Sequence, residues 1–187
     1  YPDDLHVTGN QMQDLIAGKI REYTIEKRYV RKDGSFFWGI VTISPLWNPG
    51  QPTETHLAVI RDITARKIAE DKLLLASIVF ENTVEGIVVT DDKANIEQVN
   101  PGFSIITGYS AEEVVGSNPR ILKSDRHPQV FYDDMWRQLL LTGRWVGEIW
   151  NRRKNGEVYP EWLTINCIRN ERKQITYYFA MFYETGE

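Results

Sequence analysis

Two stretches of the chain, EYTIEKRYVR (residues 22–31) and RWVGEIWNRR (144–153), are dense in aromatic and β-branched residues and run into Asp-Gly and Asn-Gly. Such a stretch predicts a strand entering a tight turn that needs positive φ, which marks a β-hairpin. The partner strands follow at once, SFFWGIVTISPLW (35–47) and EVYPEWLTINCIR (157–169). Each reaches a second polar connection, NPGQPTE (48–54) or NERKQ (170–174), and then a third apolar run, THLAVIRDI (55–63) or ITYYFAMFYE (175–184). Two three-stranded antiparallel meanders are therefore expected. Sliding the chain by 122 residues lays Arg31, Lys32, Asp33 and Gly34 over Arg153, Lys154, Asn155 and Gly156. The same shift matches Glu26 with Glu148, Thr42 and Ile43 with Thr164 and Ile165, Asn48 with Asn170, and Leu57 and Ala58 with Phe179 and Ala180. Constant register across three strand-like segments is the signature of a duplicated unit. The basic residues of the second corner, Arg152, Arg153 and Lys154, read by default as a solvated hairpin end.

Only the second copy has a complete front half. EGIVVTDDKANIEQVN (85–100) predicts two short strands around a polar turn at Asp91 to Asn95. PGFSIITG places Pro101 at the first helical position, and SAEEVVG pairs Ser110 with Glu113 in a capping box closed by Gly116. HPQVFYDDMWRQLLLTG (127–143) predicts a longer helix with Val130, Phe131, Met135, Leu139 and Leu140 at helical spacing and Gly143 past its end. In the first copy only a helix near Gln11 to Ala17 precedes the meander, so the chain is expected to begin inside a domain. Between the copies, TARKIAEDKLLLASIVFENT (64–83) holds no Gly or Pro and predicts one continuous helix. Asp62 or Thr64 can cap it, and Ile68, Leu75, Ile78 and Val79 can share a side. It reads either as a plain spacer or as a helix that transmits strain or dimerises as a short coiled coil. The expected boundaries are 1–63 for the back part of a first domain, 64–82 for the interdomain helix and 83–187 for a complete second domain.

Composition narrows the function classes. With 42% hydrophobic and 12% aromatic residues, 187 residues can build a packed core in one medium domain or two small ones. Net charge is −4 with the signs interspersed, which argues against nucleic acid or an anionic membrane as partner. The longest apolar run falls short of the roughly 20 residues a bilayer span needs, and the opening YPDDLH is acidic, so a cytoplasmic location is expected. A single cysteine, Cys167, excludes an internal disulfide and a cysteine-rich zinc site. There is no Ser-His-Asp set in a recognisable context, no Walker loop, no kinase signature and no H-E-x-x-H, so no enzyme active site is expected in this chain.

Element order, hairpin corner and linker together resemble tandem PAS (PAS/PAC) domains. YPDDL, EKRYVRKDGSFFW and VIRDITARKIAE are similar to the back half of one such domain with its trailing Asp-Ile-Thr helix, and Glu85 to Glu184 resembles a whole second one. The resemblance covers almost the whole chain. It implies an α+β fold, with a five-stranded antiparallel sheet in the order 2-1-5-4-3, short helices on one face and a pocket between. It further implies a sensory module of a bacterial signalling protein, a homodimer through its helices or sheet face, and a covalently linked output domain outside this chain. NPRILKS with NRRKNGEVYPEW is similar to modules that precede cyclic-di-GMP cyclases or phosphodiesterases, histidine kinases being the other common output.

The ligand is weighed on the same resemblance. GSNPRILK (116–123) matches the G-x-N-C-R-F-L-Q motif of light-oxygen-voltage domains at Gly116, Asn118 and Arg120, but Pro119 stands where their reactive cysteine does. Thiol-adduct photochemistry is therefore not expected, and Cys167 lies on a later strand. DRHPQVFYDDMW followed by GRWVGEIWNRRKNG is similar to redox and aerotaxis sensors that bind FAD without a covalent bond. This implies a flavin site at Asn118, Arg120, Arg126, His127, Trp136, Trp145, Asn151 and Glu161, with Asn151 on the polar ring edge and an arginine on the diphosphate. Plainer readings exist: Trp136 and Trp145 as core, Asn118 as a cap, His127 as a loop residue. Heme would need an axial ligand from His6, His56 or His127. A cofactor-free dimerisation and relay module is the remaining alternative. In the first copy Tyr29 replaces Asn151, so that copy is expected to be the poorer flavin site.

Overall fold

The computed structural model describes residues 1–46 and 55–186. The polar connection expected at 48–54, with the Asn48 match, lies outside the described residues. The chain divides into two compact units, Tyr1–Leu75 and Ala76–Glu187.

In the first unit a 3-10 segment, Pro2–Thr8, leads into α1 (Gly9–Ile16), near the helix expected at Gln11 to Ala17. Strands β1 (Tyr23–Val30), β2 (Phe36–Pro45) and β3 (His56–Asp62) form an antiparallel sheet in that order. Alternation sends Tyr23, Ile25, Val41 and Ile43 to one face, where they bury against Leu15 of α1. Asp4 fastens the 3-10 segment to β1. Its carboxylate accepts from the Arg28 guanidinium at 2.7 and 3.0 Å and from the Arg28 backbone N–H at 2.7 Å. Those bonds hold its pKa down at about 2.

Helix α2 (Thr64–Asn82) is continuous, as expected. Of the two candidate caps, Asp62 supplies the acceptor: its Oδ1 takes the Thr64 N–H at 2.9 Å and the Thr64 hydroxyl at 2.6 Å. No residue of α2 is buried, and Ile68, Leu75, Ile78 and Val79 are all about half exposed or more. Leu73, Leu74 and Leu75 follow one another around the axis, so no single apolar stripe forms.

The second unit runs β4 (Gly86–Asp91), β5 (Ile96–Val99), α3 (Pro101–Thr107), α4 (Ala111–Val114), a 3-10 turn at Pro119–Leu122, α5 (Gln129–Thr142), β6 (Arg144–Arg152), β7 (Val158–Arg169) and β8 (Ile175–Glu184). The sheet order is β5-β4-β8-β7-β6, the expected 2-1-5-4-3 arrangement, and every described pairing is antiparallel. Asn100 caps α3 ahead of Pro101, accepting the Phe103 N–H at 3.0 Å, and Glu113 accepts the Ser110 N–H at 2.9 Å. Helix α5 ends at Gly143 with φ 80°, as expected, and buries Met135 and Leu139. Val130 and Leu140, expected on the same face, are 61% and 49% exposed. The stripe that α5 lays on the sheet is narrow, and Leu140 sits about 100° around the axis from Leu139.

The duplication is a structural repeat in register. Tyr23 pairs with Ile43 as Trp145 pairs with Ile165, and Val41 pairs with Ile60 as Leu163 pairs with Phe182. Both corners turn through a glycine in the left-handed region, Gly34 at φ 87° and Gly156 at φ 92°. The second corner is solvated in part, as its charges suggest: Lys154 to Glu157 are exposed, but Arg153 is tied down. Arg153 is only 14% exposed in its side chain, lies 4.0 Å over the Tyr159 ring, pairs with Glu184 at 2.7 Å and donates to the Ile106 carbonyl of α3. Lys154 pairs with Glu113 of α4. The helices beside this hairpin supply acceptors that a flat guanidinium can reach, and stacking on Tyr159 removes its face from water.

Candidate functional site

Between the sheet and the helical layer of the second unit lies a cavity of about 560 Å³, within the usual range for small-molecule sites. Strand alternation builds its floor: Val88 and Thr90 of β4, Ile149 and Asn151 of β6, Glu161 and Leu163 of β7, and Tyr178 and Phe182 of β8 all face it. The opposite wall comes from Asn118, Arg120 and Leu122 around the 3-10 turn, from Lys123, and from Tyr132, Met135 and Trp136 of α5. Lys93, Arg120 and Lys123 bring three cations to this lining, which is otherwise mainly apolar.

The polar part of the floor is a buried carboxyl. Glu161 is 1% exposed, and its Oε1 accepts from Asn151 Nδ2 at 2.8 Å. Among the described residues its Oε2 meets no partner in good hydrogen-bond geometry, and neither does the hydroxyl of Tyr159, two residues before it, although that hydroxyl lies near enough to act on the carboxyl. Burial pushes the Glu161 pKa up to about 7, against the pull of the Tyr159 hydroxyl, the Asn151 amide and the Arg153 charge. Burial also drives the Tyr159 phenol upward, reinforced by the Glu161 charge. On the far wall the Tyr132 hydroxyl is likewise buried without a partner, with Lys123 Nζ 4.4 Å from the centre of its ring. Buried polar atoms of this kind are costly unless something completes them.

Five of the eight residues singled out from the sequence line this cavity: Asn118, Arg120, Trp136, Asn151 and Glu161. Asn118 also caps the 3-10 turn, its Oδ1 accepting the Arg120 N–H at 3.0 Å, and Trp136 stands edge-on to Tyr178 at 5.4 Å. The other three lie off the wall. Trp145 is core, edge-on to Phe131; Arg126 lies 3.9 Å over the Trp150 ring; His127 Nε2 accepts the Trp150 N–H at 3.0 Å. Cys167 is half-buried, its thiol donating to the Leu139 carbonyl at 3.5 Å. Tyr132, Met135 and Tyr178 were not anticipated as lining residues. Their signal is positional: Tyr132, Met135 and Trp136 share one helix face at i, i+3 and i+4, and Tyr178 has the inward parity of Phe182.

The sequence matches the family described as PAS domain over residues 2–65 and again over 84–185. The chain belongs to the PAS domain family. Among curated PAS-containing relatives, the nitrogen fixation regulatory protein of Klebsiella oxytoca is 36% identical over 101 residues, covering 54% of this chain and 20% of that protein. The aerotaxis receptor of Escherichia coli strain K12 is 32% identical over 79 residues, or 42% of this chain and 15% of the receptor. This chain thus spans about a fifth or less of the length of these two relatives. Among solved structures, the PAS domain of a Colwellia psychrerythraea protein superimposes with a TM-score of 0.58 at 23% identity, covering 62% of this chain and 98% of that one. The PAS segments here are sensory modules of the kind found in signalling proteins.

The first PAS segment builds the corresponding place differently. Tyr29, Phe37 and Gly39 stand where the second has Asn151, Tyr159 and Glu161. A Cβ on Gly39 would come within 2.8 Å of the Tyr29 ring, which itself stacks on Phe37 at 5.4 Å. That glycine leaves room for the Tyr29 ring to approach the sheet.

Proposed function

We propose that the second PAS unit binds FAD non-covalently in this cavity and reports redox state to a covalently linked output domain outside this chain. The observation that carries the reading is the pairing of an apolar slot with the Asn151 and Glu161 floor, whose unpartnered Oε2 suits a hydrogen-bonding ring edge. Met135, Trp136, Leu122 and Leu163 would hold the ring, and Arg120, Lys123 and Lys93 supply cations for a diphosphate. Asn151 would act with Glu161 rather than alone, because its Nδ2 is already engaged there. A bound flavin supplies reversible electron and proton transfer at its ring. Glu161, with its pKa near neutrality, can hold or release a proton at Oε2 and so offers either a donor or an acceptor. Its charge is felt by the neighbouring Tyr159. Tyr159 carries Arg153, whose guanidinium reaches Glu184 at the end of β8.

The output would be a cyclic-di-GMP cyclase or phosphodiesterase or a histidine kinase, and the module would work as a cytoplasmic homodimer. An absorption spectrum of the freshly purified protein tests the ligand: flavin bands are expected, and a colourless protein that takes up no added FAD overturns it. A second reading, a cofactor-free dimerisation and relay module, is favoured by one observation, the apolar residues of α2 exposed from Ile68 to Val79. A colourless protein that sediments as a stable dimer would support that reading instead.

A further inference from the structure

Lys123 to Pro128 joins the 3-10 turn to α5 and runs beside β6, the edge strand of the sheet. It is fastened there at four points. Lys123 forms an antiparallel bridge with Asn151, and the Ser124 hydroxyl donates to the Trp150 carbonyl at 2.5 Å. Arg152 Nη2 donates to the Ser124 carbonyl at 3.0 Å, and the Trp150 N–H donates to His127 Nε2 at 3.0 Å. Arg126 lies over the Trp150 ring and adds a fifth contact. The segment carries Lys123 of the cavity lining and connects Arg120 and Leu122 to Gln129 and Tyr132. Whatever holds it on β6 also holds that wall.

One of these fastenings depends on the protonation state of an imidazole. His127 Nε2 can accept the Trp150 N–H only while the imidazole is neutral with its proton on Nδ1. The ring is stacked on Phe131 at 4.0 Å and edge-on to Tyr132 at 6.2 Å, so it cannot simply turn outward without losing both contacts. Burial lowers its pKa, and the Glu148 charge on β6 opposes that. The other charges around it are Arg152 on β6 and Lys123, Asp125 and Arg126 on the segment itself, with the Tyr132 phenol on α5. Asp125 is turned to Arg152 at 3.6 Å, Arg126 to Trp150 and Lys123 to Tyr132.

We propose that Lys123 to Pro128 is a strap over the ligand cavity, latched to β6 by neutral His127 and released when that imidazole takes a solvent proton on Nε2. The ligand side of this statement rests on the cavity holding a flavin; the latch does not. The test is made on the whole chain at about pH 4 and about pH 8, the lower value set beneath the ordinary histidine range because burial lowers this pKa. The Trp150 amide protection factor and the His127 ring titration are read by NMR, and the rate of FAD release by fluorescence. Protection at Trp150 is expected to fall on the order of tenfold at the lower pH, in step with the His127 titration, and FAD release to quicken by a similar factor. His127→Gln, whose side-chain oxygen accepts the same N–H without titrating, is expected to remove both changes. Trp150 protection that is equal at the two pH values, or that falls equally in His127→Gln, overturns the latch. If the variant fails to fold, a wild-type His127 titration that does not track Trp150 protection overturns it as well. Protection that responds while FAD release does not overturns the strap. A working latch in a protein that takes up no FAD refutes the flavin reading and leaves the latch standing.

Discussion

In the first unit the Tyr29 ring lies across Gly39; in the second, Asn151 and Glu161 stand at those two positions and share a hydrogen bond beside a cavity. Within the two meanders, much around this difference is shared. The strand register is the same, the corner turns through the same left-handed glycine, and an arginine stacks on the aromatic residue after the turn and pairs with the acid that ends the third strand. That trio is Arg31, Phe37 and Asp62 in one unit and Arg153, Tyr159 and Glu184 in the other. The corner is thus repeated as a clamp at the hairpin end of each meander. Whether the sheet face is filled or left open differs separately, with the side chains at two inward positions on neighbouring strands and with the wall of α5 and the 3-10 turn described only in the second unit.

The sharpest way to break this contrast is to impose the first unit's solution on the second. Asn151→Tyr with Glu161→Gly is expected to abolish FAD uptake, measured by titration, while circular dichroism shows the sheet retained. Undiminished FAD uptake by the double variant would remove these positions from the site. Next in size is the titration of Glu161. Its folded pKa is raised to about 7, so its contribution to stability is present below the ordinary carboxylate range and is lost as pH rises through about 7. Glu161→Gln should flatten that dependence and stabilise the second unit above pH 7 by about 3 kcal/mol in urea unfolding. The two clamps come next. Arg153→Ala should cost about 2 kcal/mol, since its guanidinium is mostly covered, whereas Arg31→Ala should cost less than about 0.5 kcal/mol, its pair with Asp62 being half exposed. Equal losses would show that burial of the second corner is energetically idle. Smallest is the acid response of the first unit. Asp4 is held at about 2, so its contribution is present above the ordinary aspartate range and is lost as pH falls through about 2. Asp4→Asn should remove that step from acid unfolding, opposite in sense to the alkaline loss expected from Glu161.

What could be read from residues alone followed from how local each feature is. Hairpins, turn glycines, the Pro101 helix start and the register of the repeat all depend on neighbours within a few positions. Strand period puts Glu161 on one face with Tyr159 and Leu163, although that residue entered the expected site only through the resemblance. It could not say that one carboxylate oxygen would lack a partner, because that depends on α5 and the 3-10 turn lying opposite. The burial of Arg153 was hidden for a similar reason, its acceptor at Ile106 lying 47 residues away. Val130 and Leu140 were placed wrongly because helical spacing gives the width of an apolar face, not the width of the groove that receives it. Arg126, His127 and Trp145 cluster with the lining residues in sequence, yet their side chains pack against the edge strand and the core.

Asp62 divides its work between two oxygens: Oδ2 takes the hairpin arginine at 3.1 Å and Oδ1 takes the first residue of α2 at 2.9 Å. Because a carboxylate is planar and rigid, those two partners are geared together through a single side chain. A tilt of the hairpin tip that keeps both bonds can be passed to the opening turn of the helix, and one that breaks either bond uncouples them. The helix start is then less a fixed anchor than the driven end of a short lever, whose fulcrum is one aspartate.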